Sequence, residues 1–231
     1  MASLNQIVSE IVHAIKQPNN FVARRTVRSA VIHTFNEQIR QTYEKHGNVD
    51  KILMQRYRVS IIDVPDGDIF QSLVSTRFHV KRTKLRVPRP VRLDNNYPFV
   101  SVRTAGFNNM SIAFVKEANS QFYQNLPGMC ELPTYDYING YIYINGNGNL
   151  LIESLYHIII ESPFEIPTEI PIETTEGVEN NVDNDDEFLI PEDMAERIKD
   201  VIYKRNLLNV ERTSNEVPVK DNINQNANID L

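Results

Sequence analysis

Apolar residues at the start of the chain repeat with a helical period. Leu4, Ile7, Val8, Ile11, Val12 and Ile15 recur at intervals of three and four, one stripe on a short helix that stops before Pro18. Asn19 and Asn20 supply caps for a second helix over 21–46. Its stripe is Val27, Val31, Phe35, Ile39 and Tyr43, and Gly47 ends it. Residues 52–64, ILMQRYRVSIIDV, have the β-branched content of a strand closed by the turn Pro65-Asp66-Gly67-Asp68. Segments 98–104 and 110–115 predict two more strands around a turn at 106–109. In YDYINGYIYING, Asn139-Gly140 is the preferred pair for a two-residue type I′ turn. Counting outward, Ile138 faces Tyr141, Tyr137 faces Ile142 and Tyr135 faces Ile144, cross-strand pairs that favour a hairpin. A second turn over 145–149 leads into LLIESLYHIII as a third strand, so 135–160 predicts a three-stranded meander ended by Pro163. Pro191, Glu192 and Asp193 open a last helix, Lys204 and Arg205 close it, and Met194, Ile198, Val201 and Ile202 form its stripe.

These elements predict an α+β fold: an N-terminal helical hairpin, an antiparallel sheet with a meander, and a C-terminal helix on an extended acidic arm. The expected organisation is N-terminal helices at 1–47, an antiparallel β domain at 48–164, and an acidic linker or arm at 165–190. The C-terminal helix then takes 191–208 and a flexible tail 209–231. A chain of 231 residues can build one sizeable core.

Charge changes this picture. Residues 1–130 hold 18 Lys/Arg against 9 Asp/Glu, and residues 131–231 hold 6 against 21, within a net charge of -6. The tract RFHVKRTKLRVPRPVR carries Arg77, Lys81, Arg82, Lys84, Arg86, Arg89 and Arg92 without one acid. Pro88 and Pro90 argue against a central strand there and favour an edge or an extended arm. Opposite it, residues 165–187 contain nine acids and no base, the composition of a linker rather than a core. The basic tract has three readings. It contacts phosphate without sequence preference, or it clamps an acidic segment of a neighbouring subunit, or it is merely solvated. The second draws on the chain's own acidic arm. In a ring, each arm would lie on the next subunit's basic surface, a head-to-tail contact that closes by rotation. Arg24, Arg25 and Arg28 stand in the first turns of the second helix, where the dipole disfavours them. Solvated arginines are the commoner case.

Candidate chemistry is sparse. The sequence carries no P-loop, GxGxxG, GxSxG or HExxH motif, and its five histidines show no ligand spacing. Asp63, Asp66 and Asp68 could hold a divalent cation, but an Asp/Gly turn accounts for them. Glu153 and Glu161 could be posed as acid and base, with nothing to put them across one cleft. Cys130 is alone, so no disulfide framework or thiolate metal site is expected; with no signal peptide, synthesis in a reducing cytoplasm is expected. No stretch reaches 18 consecutive apolar residues, so no membrane helix is expected. The meander tyrosines could stack on bases, but they lie in the acidic half, away from the cations. Packing within a hairpin accounts for their spacing. No cofactor is implied.

The order of elements resembles the head–tail connector ring proteins of crAss-like bacteriophages. Three passages carry the resemblance: RRTVRSAVIHTFNEQIRQTYE leading into YRVSIIDVPDGDIFQSLVSTR; RVPRPVRLDNNYPFVSVRTAGFNNMSIAFV; and NGYIYINGN with the isoleucine strand, Pro163-Phe164-Glu165 and FLIPEDMAERIKDVI. The resemblance implies a non-enzymatic virion protein, made in the host cytoplasm and stacked below the portal as a closed, usually twelve-fold ring around the DNA channel. Its implied partners are copies of itself, the portal protein, other neck and tail ring proteins, and DNA passing through. Connector lumens in such families are often acidic, which turns the basic tract toward protein. The alternative from another class is a non-sequence-specific nucleic-acid-binding protein using 77–92, and a third is an enzyme with an unrecognised site.

Overall fold

The structure is a computed structural model describing residues 2–65, 68, 79–93, 97–106, 109–116, 119, 132–145, 150–174, 177–180 and 190–204. Among these lie the helices α1 (Leu4–Ala14), α2 (Phe21–His46), α3 (Leu150–Glu153) and α4 (Glu192–Lys204). Ser3 caps α1 by accepting from the Gln6 amide, and Asn20 caps α2 by accepting from the Val22 and Ala23 amides. Gly47 ends α2 in the left-handed region at φ 71°, where a side chain would be strained. The stripes face one another. Leu4, Ile7 and Ile11 of α1, Val27, Val31 and Ile39 of α2, and Ile198 and Ile202 of α4 form one buried cluster. Burying a side chain of this size contributes about 1.5–3 kcal/mol, so α4 is held by the N-terminal helices although it lies at the far end of the chain. Ile190 and Ala2 exchange two backbone hydrogen bonds of 2.9 and 3.1 Å, which fasten the entry to α4. Lys199 adds a 2.9 Å bond to Glu10.

The second core belongs to seven strands: β1 (Gln55–Asp63), β2 (His79–Thr83), β3 (Ser101–Thr104), β4 (Ala113–Phe114), β5 (Thr134–Ile138), β6 (Tyr141–Asn145) and β7 (His157–Ser162). Their order is β3-β7-β1-β2-β6-β5-β4, antiparallel except between β4 and β5. The two ends of the sheet meet. Ser111, just before β4, bridges Arg103 of β3, and the Ile112 amide donates to the Val102 carbonyl at 2.9 Å. The sheet therefore curls into a nearly closed barrel, which removes exposed edges. Val59, Val102, Tyr135, Ile142, Ile144, Ile158 and Ile160 from strands all around it share one buried cluster with Phe99 and Phe164.

The β5–β6 hairpin has the expected register, Ile138 to Tyr141, Tyr137 to Ile142 and Tyr135 to Ile144, with Asn139 and Gly140 at φ 52° and 86°. Three expectations are corrected. The strand over 157–162 does not extend this hairpin into a meander. Both sides of β6 are taken, by β5 and β2, and the α3 turn carries the chain away to pair β7 with β1 and β3. The first part of the basic tract is neither edge nor arm, because β2 lies in the middle of the sheet and only the proline-bearing residues after it leave the ladder. The acidic stretch is not wholly outside the core, since Ile170 is buried in the barrel cluster and β8 (Pro171–Thr174) pairs antiparallel with β9 (Gly177–Asn180). Residues 181–189 and the tail from 205 lie outside the described residues.

Candidate functional site

Strand alternation divides the basic tract between two environments. Lys81 and Thr83 point into the protein and Arg82 points away. The Lys81 ammonium donates to the Glu153 carbonyl at 2.6 Å and the Leu155 carbonyl at 2.8 Å, capping the end of α3. It also lies 3.9 Å from the Asp63 carboxylate and over the Tyr156 ring. Arg82 is engaged as well. Its Nη1 is 3.1 Å from Asp68 Oδ2, and its guanidinium stacks 4.6 Å over the Tyr141 ring. The Tyr143 hydroxyl donates to both Asp68 oxygens at 3.2 Å. Burial first, then the Asp68 charge, raises the pKa of Tyr143, so the donor stays protonated.

Beyond β2, residues 84–93 form a strap across the barrel end. The Val87 amide donates to the Gly140 carbonyl at 2.7 Å, the Val91 amide to the Pro163 carbonyl at 2.9 Å, and the Glu165 amide to the Arg89 carbonyl at 2.8 Å. Val87, Val91 and Leu93 are buried, whereas Lys84, Arg86, Arg89 and Arg92 are exposed. Among the described residues, no carboxylate lies within ion-pair distance of these four.

The strap, the β5–β6 hairpin and Tyr97 enclose a groove of about 1150 Å³. Arg82, Arg86, Arg89 and Arg92 line it together with Tyr97 and Tyr141. The Arg86 guanidinium lies 5.8 Å from the Tyr141 ring centre, and Tyr97, 56% exposed, stands edge-on to Phe114 at 5.9 Å. Tyrosines and cations, far apart in sequence, are thus brought to one place, against the expectation that they stay separate. The cause is the β2–β6 ladder, which sets Arg82 opposite Tyr143. Arg77 lies outside the described residues, Lys81 is internal, and Lys84 is exposed without being one of the groove's lining residues. Tyr97 was missed by sequence reasoning. Nothing in its sequence neighbourhood marks it, because its place in the groove is set by packing on the distant Phe114.

The other candidates do not converge. Asp68 is committed to Arg82 and Tyr143, while Asp63 is 87% exposed. Asp66 and Cys130 fall outside the described residues. Glu161 pairs with Arg56 at 3.0 Å across the β7–β1 ladder, and neither it nor Glu153 lines the groove. Among the described residues, no group of three His, Cys, Asp or Glu side chains could hold a metal, and no helix is long and apolar enough to cross a membrane. What the groove offers chemically is net positive charge beside aromatic faces: two carboxylates also line it, Asp68, which Arg82 takes up, and Glu165, which lies 3.7 Å from Arg40. Residues 6–228 match the protein-family model described as phage tail ring protein 2. No curated protein matches the chain.

Proposed function

The chain belongs to the phage tail ring protein 2 family of crAss-like phages, and from that membership we propose that it forms a ring of the head–tail connector. Membership makes it a structural protein of the phage particle that associates with copies of itself and with other tail components. In the finer reading its ring lies below the portal, carries twelve subunits, encloses the DNA channel and joins capsid to tail. The observation that carries this reading is the family match over nearly the whole chain. The protein works by binding, without turnover. A channel through which DNA must slide is poorly served by arginines in its wall, because each neutralised phosphate strengthens binding. The exposed arginines of the strap therefore face protein.

Quantitative mass spectrometry of purified particles tests this. About one copy per portal subunit is expected for a ring that continues the symmetry of the portal. Absence from particles refutes the reading. One observation favours a second reading: arginines and tyrosines sharing one groove is also how single-stranded nucleic acid is held. A sequence-independent nucleic-acid-binding protein would bind free DNA with an affinity that falls steeply with salt. Neutralising Arg86, Arg89 and Arg92 would flatten that slope.

A further inference from the structure

We propose that the arginine–tyrosine groove receives the acidic segment 181–187 of a second copy of this chain. Each subunit of the ring then holds the next by strap and loop. This inference rests on the ring reading above and names the partner of the groove.

The strap is built to present charge. Arg86, Arg89 and Arg92 alternate with buried Val87, Val91 and Leu93, and Pro88 and Pro90 stiffen the backbone between them. All three arginines line the groove, three residues apart along the strap. Hydrogen bonds from the strap amides to Gly140 and Pro163, and from the Glu165 amide to the strap, hold the backbone under them in place. The arginines therefore lose little freedom on binding beyond that of their own side chains. Lys81 and Arg82 already have ion-pair partners within the chain, but these three have none among the described residues. Exposed Tyr97 and half-buried Tyr141 add aromatic surface to the same groove.

The occupant is chosen by charge and position. Segment 181–189 reads NVDNDDEFL, with Asp183, Asp185, Asp186 and Glu187 followed by Phe188. Asp183 and Asp186 repeat at the interval of three that the arginines use, and Phe188 offers a ring to the tyrosines. The segment is tethered between Asn180 at the end of β9 and Ile190, which is buried in the helical core. Its nine residues reach about 15 Å out and back, enough to enter a groove on a copy packed alongside. Groove and segment are different surfaces of one chain, so the contact is head-to-tail and propagates around a ring.

The test uses the full-length chain and a fluorescent synthetic peptide of residues 180–189, read by anisotropy at low salt. The receivers are the wild type, a variant with its own segment neutralised (Asp183→Asn, Asp185→Asn, Asp186→Asn, Glu187→Gln), and that variant also carrying Arg86→Ser, Arg89→Ser and Arg92→Ser. The first two should bind the peptide alike, and the third about tenfold more weakly, from three lost arginine contacts. If the triple arginine change unfolds the chain, Arg89→Ser alone should still weaken binding measurably. No binding to the neutralised receiver overturns the proposal. Binding by the neutralised receiver but not by a wild type that sediments as a monomer at the same concentration shows that the chain's own segment fills the groove, which also overturns it. An oligothymidylate probe held more tightly than the peptide, through the same arginines, transfers the groove to nucleic acid. Failure of the peptide leaves the copy number in particles untouched, whereas absence from particles removes the ring reading whatever the peptide does.

Discussion

Replacing Lys81 by Met separates the structural from the outward-facing part of the basic tract. Lys81 is 6% exposed, and its ammonium donates to the carbonyls of Glu153 and Leu155 at 2.6 and 2.8 Å. Methionine keeps most of the packed stem and removes every donor. Each hydrogen bond from a charged donor contributes about 1.5–3 kcal/mol, and a carbonyl left buried and unpaired costs about 1–3 kcal/mol. Against this, the variant no longer has to desolvate an ammonium, which recovers part of the loss. Asp63, being mostly exposed, returns to water at little cost. The net loss is about 2 kcal/mol, and for a chain of this size the melting temperature falls by about 4–8 °C. Arg89→Met, on the exposed edge of the strap, should change stability by less than about 0.5 kcal/mol. Both are measured by thermal melts followed with far-UV circular dichroism. Below its lowered melting temperature, Lys81→Met should bind the 180–189 peptide as the wild type does, and Arg89→Met should not. Wild-type melting of Lys81→Met, or an equally deep loss in Arg89→Met, would refute the division.

Three further outcomes follow from the geometry. Gly140→Ala places a side chain at φ 86°, with only ordinary contact to Arg86, so the backbone alone sets a cost of about 1 kcal/mol; an unchanged melting temperature would speak against the type I′ turn. Burial raises the hydroxyl pKa values of Tyr57 and Tyr135 above the ordinary range. The stability they contribute is complete below the unfolded tyrosine pKa of about 10 and is lost as pH climbs above it. In an ultraviolet titration of the ten tyrosines, these two should ionise only as the chain unfolds, and smooth ionisation of all ten in the folded state would contradict their burial. Hydrogen bonds to Glu196 and then Glu10 raise the Lys199 pKa to about 12, while the bond from Lys199 first, then Gln6, lowers that of Glu10. Glu10 thus contributes stability that is present above its unfolded pKa and disappears as pH falls through its lowered folded value, a few tenths of a kcal/mol for so exposed a pair. In a carboxyl NMR titration, Lys199→Met should move Glu10 upward, and an unmoved Glu10 would show that the bridge is not formed in solution.

The helices and the hairpin were legible because their signals are local. Spacing of three and four marks the stripes of α1, α2 and α4, Asn20 and Gly47 mark the ends of α2, and Asn139-Gly140 sets the β5–β6 register. Partners distant in sequence were not legible. The isoleucines of β7 say that one face is buried, but not that it packs beside β1 rather than β6. Strand β2 did not look central because Pro88 and Pro90 argued against a ladder for the whole tract, yet they lie beyond the strand, and HVKRT itself carries two cations. What makes it tolerable there are the α3 carbonyls that take Lys81 and the carboxylate of Asp68 that takes Arg82, neither predictable from neighbouring residues. The groove depends on that same pairing. The charge of the tract was plain in the sequence, but its division into Lys81 inside, Arg82 engaged and Arg86, Arg89 and Arg92 outside was not.

Cryo-electron microscopy of the portal–tail junction, in particles that contain this chain, tests the central claim most directly. We expect a closed ring of this barrel and helical bundle, coaxial with the portal. Each strap of Arg86, Arg89 and Arg92 should hold density continuous with residues 180 and 190 of the next subunit. A junction built without this chain, or a ring whose straps point into the DNA channel, would contradict it.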